Sequence, residues 1–147
     1  MRNALLIAHI AAAVLLIGPA TFAASAFPRQ AAAAGDGDTT ALGAARVLHR
    51  VSRGYGTASL VVGAIGVALA QQSSWWSEPW VWVALVVFTL ASILLLVVIV
   101  PTQARVLHDA ERSAQVDAAA KARLHSTTGL YSMAWVVVLA LMVIKPG

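Results

Sequence analysis

Four histidines hold most of the chemical potential of this 147-residue chain: His9, His49, His108 and His125. His49 and His125 are the sharpest pair. Each follows a leucine, and each is followed, after five residues, by a tyrosine, Tyr55 or Tyr131. Two imidazoles from two helices are the axial set that a b-type haem needs, so His49 and His125 are candidate haem ligands. The plainer reading places them in interfacial hydrogen-bond networks, because arginines surround both. His9 lies inside an apolar run, where an ionisable residue is a functional candidate by default. Helical rise separates it by about 28 Å from Pro28, so it cannot share a ligand with the other two. Its plainer reading is a neutral imidazole bonded to a neighbouring helix. His108-Asp109-Ala110-Glu111 matches no metal-ligand spacing and reads as a solvated helix face.

Absences narrow the chemistry further. There is no cysteine, hence no thiolate nucleophile, disulfide or Cys-based metal site. The only acids are Asp36, Asp38, Glu78, Asp109, Glu111 and Asp117, all outside the apolar runs, so no carboxylate relay crosses a membrane. No P-loop, Rossmann or zinc-protease pattern is present. The expectation is a non-enzymatic protein without a cofactor, with haem b as the alternative.

The elements that must position these residues are membrane helices. Apolar residues make up 60% of the chain and charged residues 11%, against about 45–50% and about 25% in soluble domains. A net charge of +4 without a basic patch interleaved with aromatics gives no support to nucleic-acid binding. A bilayer core of about 30 Å needs about 20 apolar residues in a helix. Four segments qualify, at about 4–27, 54–70, 80–100 and 128–144, in a single domain. Polar segments at 28–53 and 101–127 lie between them and read as helical extensions of the spans, turning at Gly35–Asp38 and near Gln115–Asp117. Thr39 or Thr40 is expected to cap the helix after the first turn, and Asp117 the helix after the second.

Lysine and arginine set the orientation. Arg29, Arg46, Arg50 and Arg53 lie in the first polar segment, and Arg105, Arg112, Lys121 and Arg123 in the last. The link at 71–79 has none, and the tails have only Arg2 and Lys145. Both long segments are therefore expected in the cytoplasm of a bacterial inner membrane, with both termini outside. Trp75, Trp76, Trp80 and Trp82 then form an aromatic belt at the outer interface. Arg2 and Ala24-Ser25-Ala26 resemble a cleavable leader, but cleavage would leave four arginines outside. An uncleaved first span is the reading adopted.

The chain also matches itself. At a spacing of 76 residues Leu48-His49 falls on Leu124-His125, Tyr55 on Tyr131 and Ala58 on Ala134. At a spacing of 73, Pro28-Arg29-Gln30-Ala31 falls on Pro101-Thr102-Gln103-Ala104. The expected architecture is all-α and polytopic, built of two tandem helix hairpins related about an axis along the membrane normal. Chance similarity between Ala/Val-rich helices is the competing explanation.

Small residues indicate packing faces. Gly56, Gly63 and Ala70 recur every seventh residue of the second span, with Ser59 and Gly66 between them. Ala4, Ala11, Gly18 and Ser25 repeat the pattern in the first. Helices in lipid associate through close van der Waals contact, so the two stripes are expected to join spans one and two. The alternative is that Gly56, Ser59, Gly63 and Gly66 dock a helix of another protein. Leu94 to Ile99 are bulky all round and read as lipid-facing.

The early Ala-His-Ile-Ala-Ala-Ala (Ala8–Ala13), the paired Leu-His motifs and the Trp-rich link give the chain its resemblance to a set of small bacterial, often actinobacterial, four-helix predicted integral membrane proteins of unknown function. The resemblance implies a four-span bundle and transfers no site residues. The functional expectation is an accessory or scaffolding subunit of a larger inner-membrane complex, such as a transport permease or a respiratory complex. Its partners would be the bilayer, other membrane subunits and anionic lipids. Arg46, Arg50 and Arg53, at helical spacing before the second span, are the candidate cytoplasmic docking face. A homo-oligomeric efflux or lipid-handling protein is the further alternative.

Overall fold

The computed structural model describes residues 2–112 and 118–144. The expected turn near Gln115–Asp117 and the Asp117 cap lie outside the described residues. Four long helices form the molecule: α1 (Arg2–Gly35), α2 (Thr39–Gln72), α3 (Pro79–Glu111) and α4 (Ala118–Ile144). Each contains a stretch long and apolar enough to cross a membrane, and no strand occurs among the described residues. The chain is an all-α integral membrane protein with four candidate spans.

The first three helices have 34, 34 and 33 residues. At about 1.5 Å per residue each is about 50 Å long, so about 20 Å stands beyond a hydrocarbon core of about 30 Å. The polar segments form this surplus, hereafter the arm. The opposite end of the bundle carries the Trp-rich link.

Local chemistry fixes both turns. Gly37 has a φ of +96°, the left-handed geometry that glycine adopts without a Cβ penalty. Asp38, rather than either threonine, caps α2: its Oδ1 accepts from the Thr40 and Ala41 amides at 2.8 and 3.1 Å. A carboxylate one residue before the first turn reaches these amides and also complements the helix dipole. At the link, Trp76 and Trp82 stack at 5.1 Å and Trp75 and Trp80 at 5.6 Å. Trp82 Nε1 donates to the Trp76 carbonyl at 3.0 Å, so the indoles clasp the link as well as cover it.

Two π-helical turns interrupt the spans, at Ala13–Ile17 in α1 and Leu94–Ile99 in α3. The second ends immediately before Val100 and Pro101. A proline lacks an N–H and crowds the carbonyl four residues back, and a widened turn relieves that conflict while α3 continues into the arm.

The helices pack differently from the expectation in three places. The α1 stripe that faces α2 is Ala20, Ala24, Phe27, Ala31 and Ala34, all buried against partners that include Ala41 and Ala45 of α2. Ala4, Ala11, Gly18 and Ser25 are exposed. An alanine-rich helix offers a small-residue stripe on more than one face, so spacing alone does not choose between them. The glycine stripe of α2 is shared between two partners. Gly56 faces Leu95 and Leu96, and Gly63 faces Phe88, all on α3, whereas Gly66 faces the His9 ring on α1. Finally, Leu95 and Ile99 of the supposed lipid-facing run are 1% and 0% exposed. A helix apolar all round is equally suited to burial, and burial is what α3 finds between α2 and α4.

A Cβ on Gly63 would lie 2.6 Å from Phe88 Cε1, whereas one on Gly54 would meet nothing within 4 Å. Gly63→Ala is expected to cost about 1–3 kcal/mol through overpacking. Gly54→Ala should be neutral or stabilising by about 0.5–1 kcal/mol. Thermal unfolding of both variants in one detergent checks this, and equal midpoints would contradict the packing described.

Candidate functional site

Short hydroxyl side chains in these helices satisfy themselves locally. Thr57, Thr89, Ser92, Thr102 and Ser132 each donate to the carbonyl four residues earlier, at 2.6–3.0 Å. Side chains that do not, and that are nevertheless buried, mark where the bundle must do something else.

Gln103 is one such residue. It lies on α3 at the base of the arm, two residues after Pro101, and is 0% exposed. Its carboxamide reaches α2: Oε1 accepts from His49 Nδ1 and Nε2 donates to Ser52 Oγ, each at 3.3 Å. This orientation requires the imidazole proton on Nδ1. Arg46 Nε meets Glu111 Oε1 at 2.8 Å further along the same α2–α3 contact. That pair is exposed and worth at most about 1 kcal/mol. The sequence marks Gln103 only as a member of a repeated motif and does not mark Ser52 as its partner. Their signal was present in the Pro-x-Gln-Ala motif and in a hydroxyl residue, Ser52 or Thr128, three places after each Leu-His.

The matching positions on α1 and α4 are Gln30, His125 and Thr128, and they are arranged otherwise. Gln30 is half-buried and makes no hydrogen bond among the described residues. An open cleft of about 230 Å³ lies along the α1–α4 contact, lined by Ser25, Pro28, His125, Thr128, Gly129 and Ser132. Thr128 is 5% exposed, and its Oγ1 has no hydrogen-bond partner. Deeper in the same α1–α4 contact, the Tyr131 hydroxyl sits beside Thr21 and Trp135. None of the polar atoms Thr21 Oγ1, Tyr131 OH and Trp135 Nε1 attains a hydrogen bond of good geometry. Tyr131 is fully buried, edge-on to Trp135, whereas Tyr55, its counterpart at the 76-residue spacing, is exposed.

The other candidates are placed as follows. His9 is buried against α2, beside Gly66 and the Val62 backbone, with Nδ1 unpartnered. His49 is half-buried in the α2–α3 contact, and His125 is exposed at the α1–α4 cleft. The two histidines therefore serve different inter-helix contacts and do not line one cavity. No group of three metal-ligating side chains occurs among the described residues. Gly56 and Ser59 are buried, and Ser59 Oγ donates to the Gly56 carbonyl at 2.7 Å. With Leu95 and Phe88 seated on Gly56 and Gly63, that stripe is occupied within the chain. Arg46, Arg50 and Arg53 are exposed on the arm.

Comparison with known proteins gives a family and nothing finer. Residues 3–146 match the DUF2269 family of predicted integral membrane proteins, and the chain belongs to that family. No curated protein matches the chain, and no solved structure does.

Because His49 and His125 serve separate contacts, protein purified from haem-replete cells is expected to lack the spectrum of a bis-imidazole haem. A Soret band lost in both His49→Ala and His125→Ala would contradict this arrangement.

Proposed function

We propose that this DUF2269 member is a non-enzymatic accessory or scaffolding subunit of a larger assembly in the bacterial inner membrane, of the transport-permease or respiratory type. The observation that carries the reading is the arm. Helices α1, α2 and α3 continue about 20 Å beyond the hydrocarbon, and small residues rather than a cofactor site fill the space between α1 and α2. Such a stiff polar projection serves to present a surface.

The surface it presents is basic. Arg46, Arg50 and Arg53 are exposed at i, i+4 and i+7 on α2, one face of a helix. Arg46 is engaged by Glu111, and Arg50 and Arg53 have no ion-pair partner among the described residues. The lysine and arginine bias supports a cytoplasmic position for this arm, where each basic residue near anionic lipid would gain about 1 kcal/mol. An acidic partner surface would use the same charges. The glycine stripe is unavailable for docking, because α1 and α3 already occupy it.

Mild-detergent purification of tagged protein, followed by mass spectrometry, tests the reading. A stoichiometric membrane partner is expected with the parent chain. It should be lost, by about tenfold or more, from the Arg50→Gln/Arg53→Gln variant, while insertion and thermal stability stay unchanged. Recovery of the parent chain alone as a stable monomer would refute the role, and retention of the partner by the variant would refute the docking face.

A further inference from the structure

Below the arm, an open groove of about 220 Å³ runs along the α2–α3 contact. Leu60 lines it from α2, and Thr89, Ile93 and Val97 are among the residues that line it from α3. All four are exposed, so the groove opens outward to the lipid. Its two hydroxyl residues, Thr89 and Ser92, give their protons to the Leu85 and Phe88 carbonyls of their own helix. The groove therefore presents hydrocarbon and no free donor. At bilayer depth such a gap forfeits dispersion contacts unless hydrocarbon fills it. The π-helical turn Leu94–Ile99 supplies Leu96 and Val97 to its arm end, and turns of this kind recur at functional sites.

That arm end meets an arginine. Leu96 lies level with Gly56, since a Cβ on Gly56 would stand 3.4 Å from Leu96 Cδ2. Arg53 comes three residues before Gly56, about 4–5 Å further toward the arm. It also precedes the groove residue Leu60 by seven positions, so the two leave α2 within about 20° of each other. The helix is continuous here, with the Ser59 amide donating to the Tyr55 carbonyl at 2.8 Å. Arg53 is exposed, is the last charged residue before the apolar run 54–70, and has no ion-pair partner among the described residues. It stands where lipid headgroups begin. Its planar guanidinium can hold a phosphate through two parallel hydrogen bonds.

We propose that the α2–α3 groove binds an anionic glycerophospholipid of the arm-side leaflet, with one acyl chain along Leu60 and Ile93 and the headgroup phosphate on Arg53. The groove alone accepts the chain of any lipid. Arg53 selects for net negative charge, because a zwitterionic headgroup offsets its phosphate with a cation of its own. The site goes beyond the accessory role proposed above and does not rest on it: it needs the groove, which docking through Arg50 and Arg53 does not.

The full chain, delipidated in detergent, is titrated with dioleoyl phosphatidylglycerol and with dioleoyl phosphatidylcholine, which share their chains and differ in headgroup charge. Native mass spectrometry reads the first bound lipid. A preference of about fivefold for phosphatidylglycerol is expected, the factor that one basic residue near anionic lipid supplies. Arg53→Gln should bring it below about twofold. Arg105→Gln should leave it unchanged, because Arg105 leaves α3 about 200° from the inward-facing Gln103, on the far side of that helix. Thr89→Phe and Leu60→Trp fill the groove from opposite walls at exposed positions that the fold tolerates. Together they should weaken the binding of both lipids by about fivefold or more, while a partner docked on Arg50 and Arg53 stays bound, so the two proposals fail separately. Equal binding of the two lipids by the parent chain, a preference that survives Arg53→Gln or falls as far in Arg105→Gln, or binding that survives Thr89→Phe/Leu60→Trp overturns the proposal.

Discussion

Inside a bilayer a polar atom has no water to turn to, so every donor and acceptor must be met by protein or carry a cost of several kcal/mol. This constraint sorts the polar residues of the chain by reach. Serine and threonine are short enough to bond to their own helix, and six of them among the described residues donate to the carbonyl four residues back. Such bonds say nothing about which helix lies opposite. Gln103 is longer and must cross to α2, where His49 and Ser52 receive it. One fully buried carboxamide thus fixes the rotation and height of α3 against α2 at the level where span becomes arm.

Small residues then set how close the helices come. With no hydrophobic drive between helices in lipid, association depends on contact area and close approach. The alanine face of α1 at positions 20, 24, 31 and 34 draws α1 and α2 together from the span into the arm, and Gly56 and Gly63 admit Leu95 and Phe88 from α3. Phe88 also stacks edge-on to Trp135 of α4 at 5.6 Å, so α3 links α2 to α4. The α1–α4 side has no equivalent of Gln103. It keeps an open cleft and a row of unmet polar atoms instead, so the two contacts differ in how far their polar groups are satisfied.

Much of the architecture was legible in the sequence. Composition and the lengths of the apolar runs led to four spans and an all-α membrane protein, because bilayer thickness acts on every such segment alike. The glycine-rich turn at Gly35–Asp38 follows from residue type, although the cap falls to Asp38 and not to a threonine, because its carboxylate reaches two free amides of the first turn. Packing partners were less legible. Gly56, Gly63 and Gly66 share a stripe, yet they face two different helices, since a stripe records smallness and not its occupant. Leu95 and Ile99 look lipid-facing by type, and only tertiary placement makes them core. The polar contacts were half visible: the Leu-His and Pro-x-Gln-Ala motifs marked the positions, but their pairing across α2–α3 depends on distances that sequence spacing does not encode.

The inequality of the two contacts is tested most directly by Gln103→Leu and Gln30→Leu, compared by thermal or SDS-induced unfolding in one detergent. Leucine keeps much of the bulk and removes the amide, leaving His49 and Ser52 unmet in one variant and no bond broken in the other. Gln103→Leu is expected to lose about 1–2 kcal/mol and Gln30→Leu less than about 0.5 kcal/mol. Equal losses would mean that both glutamines close their contacts and that the α1–α4 cleft is not the open counterpart described.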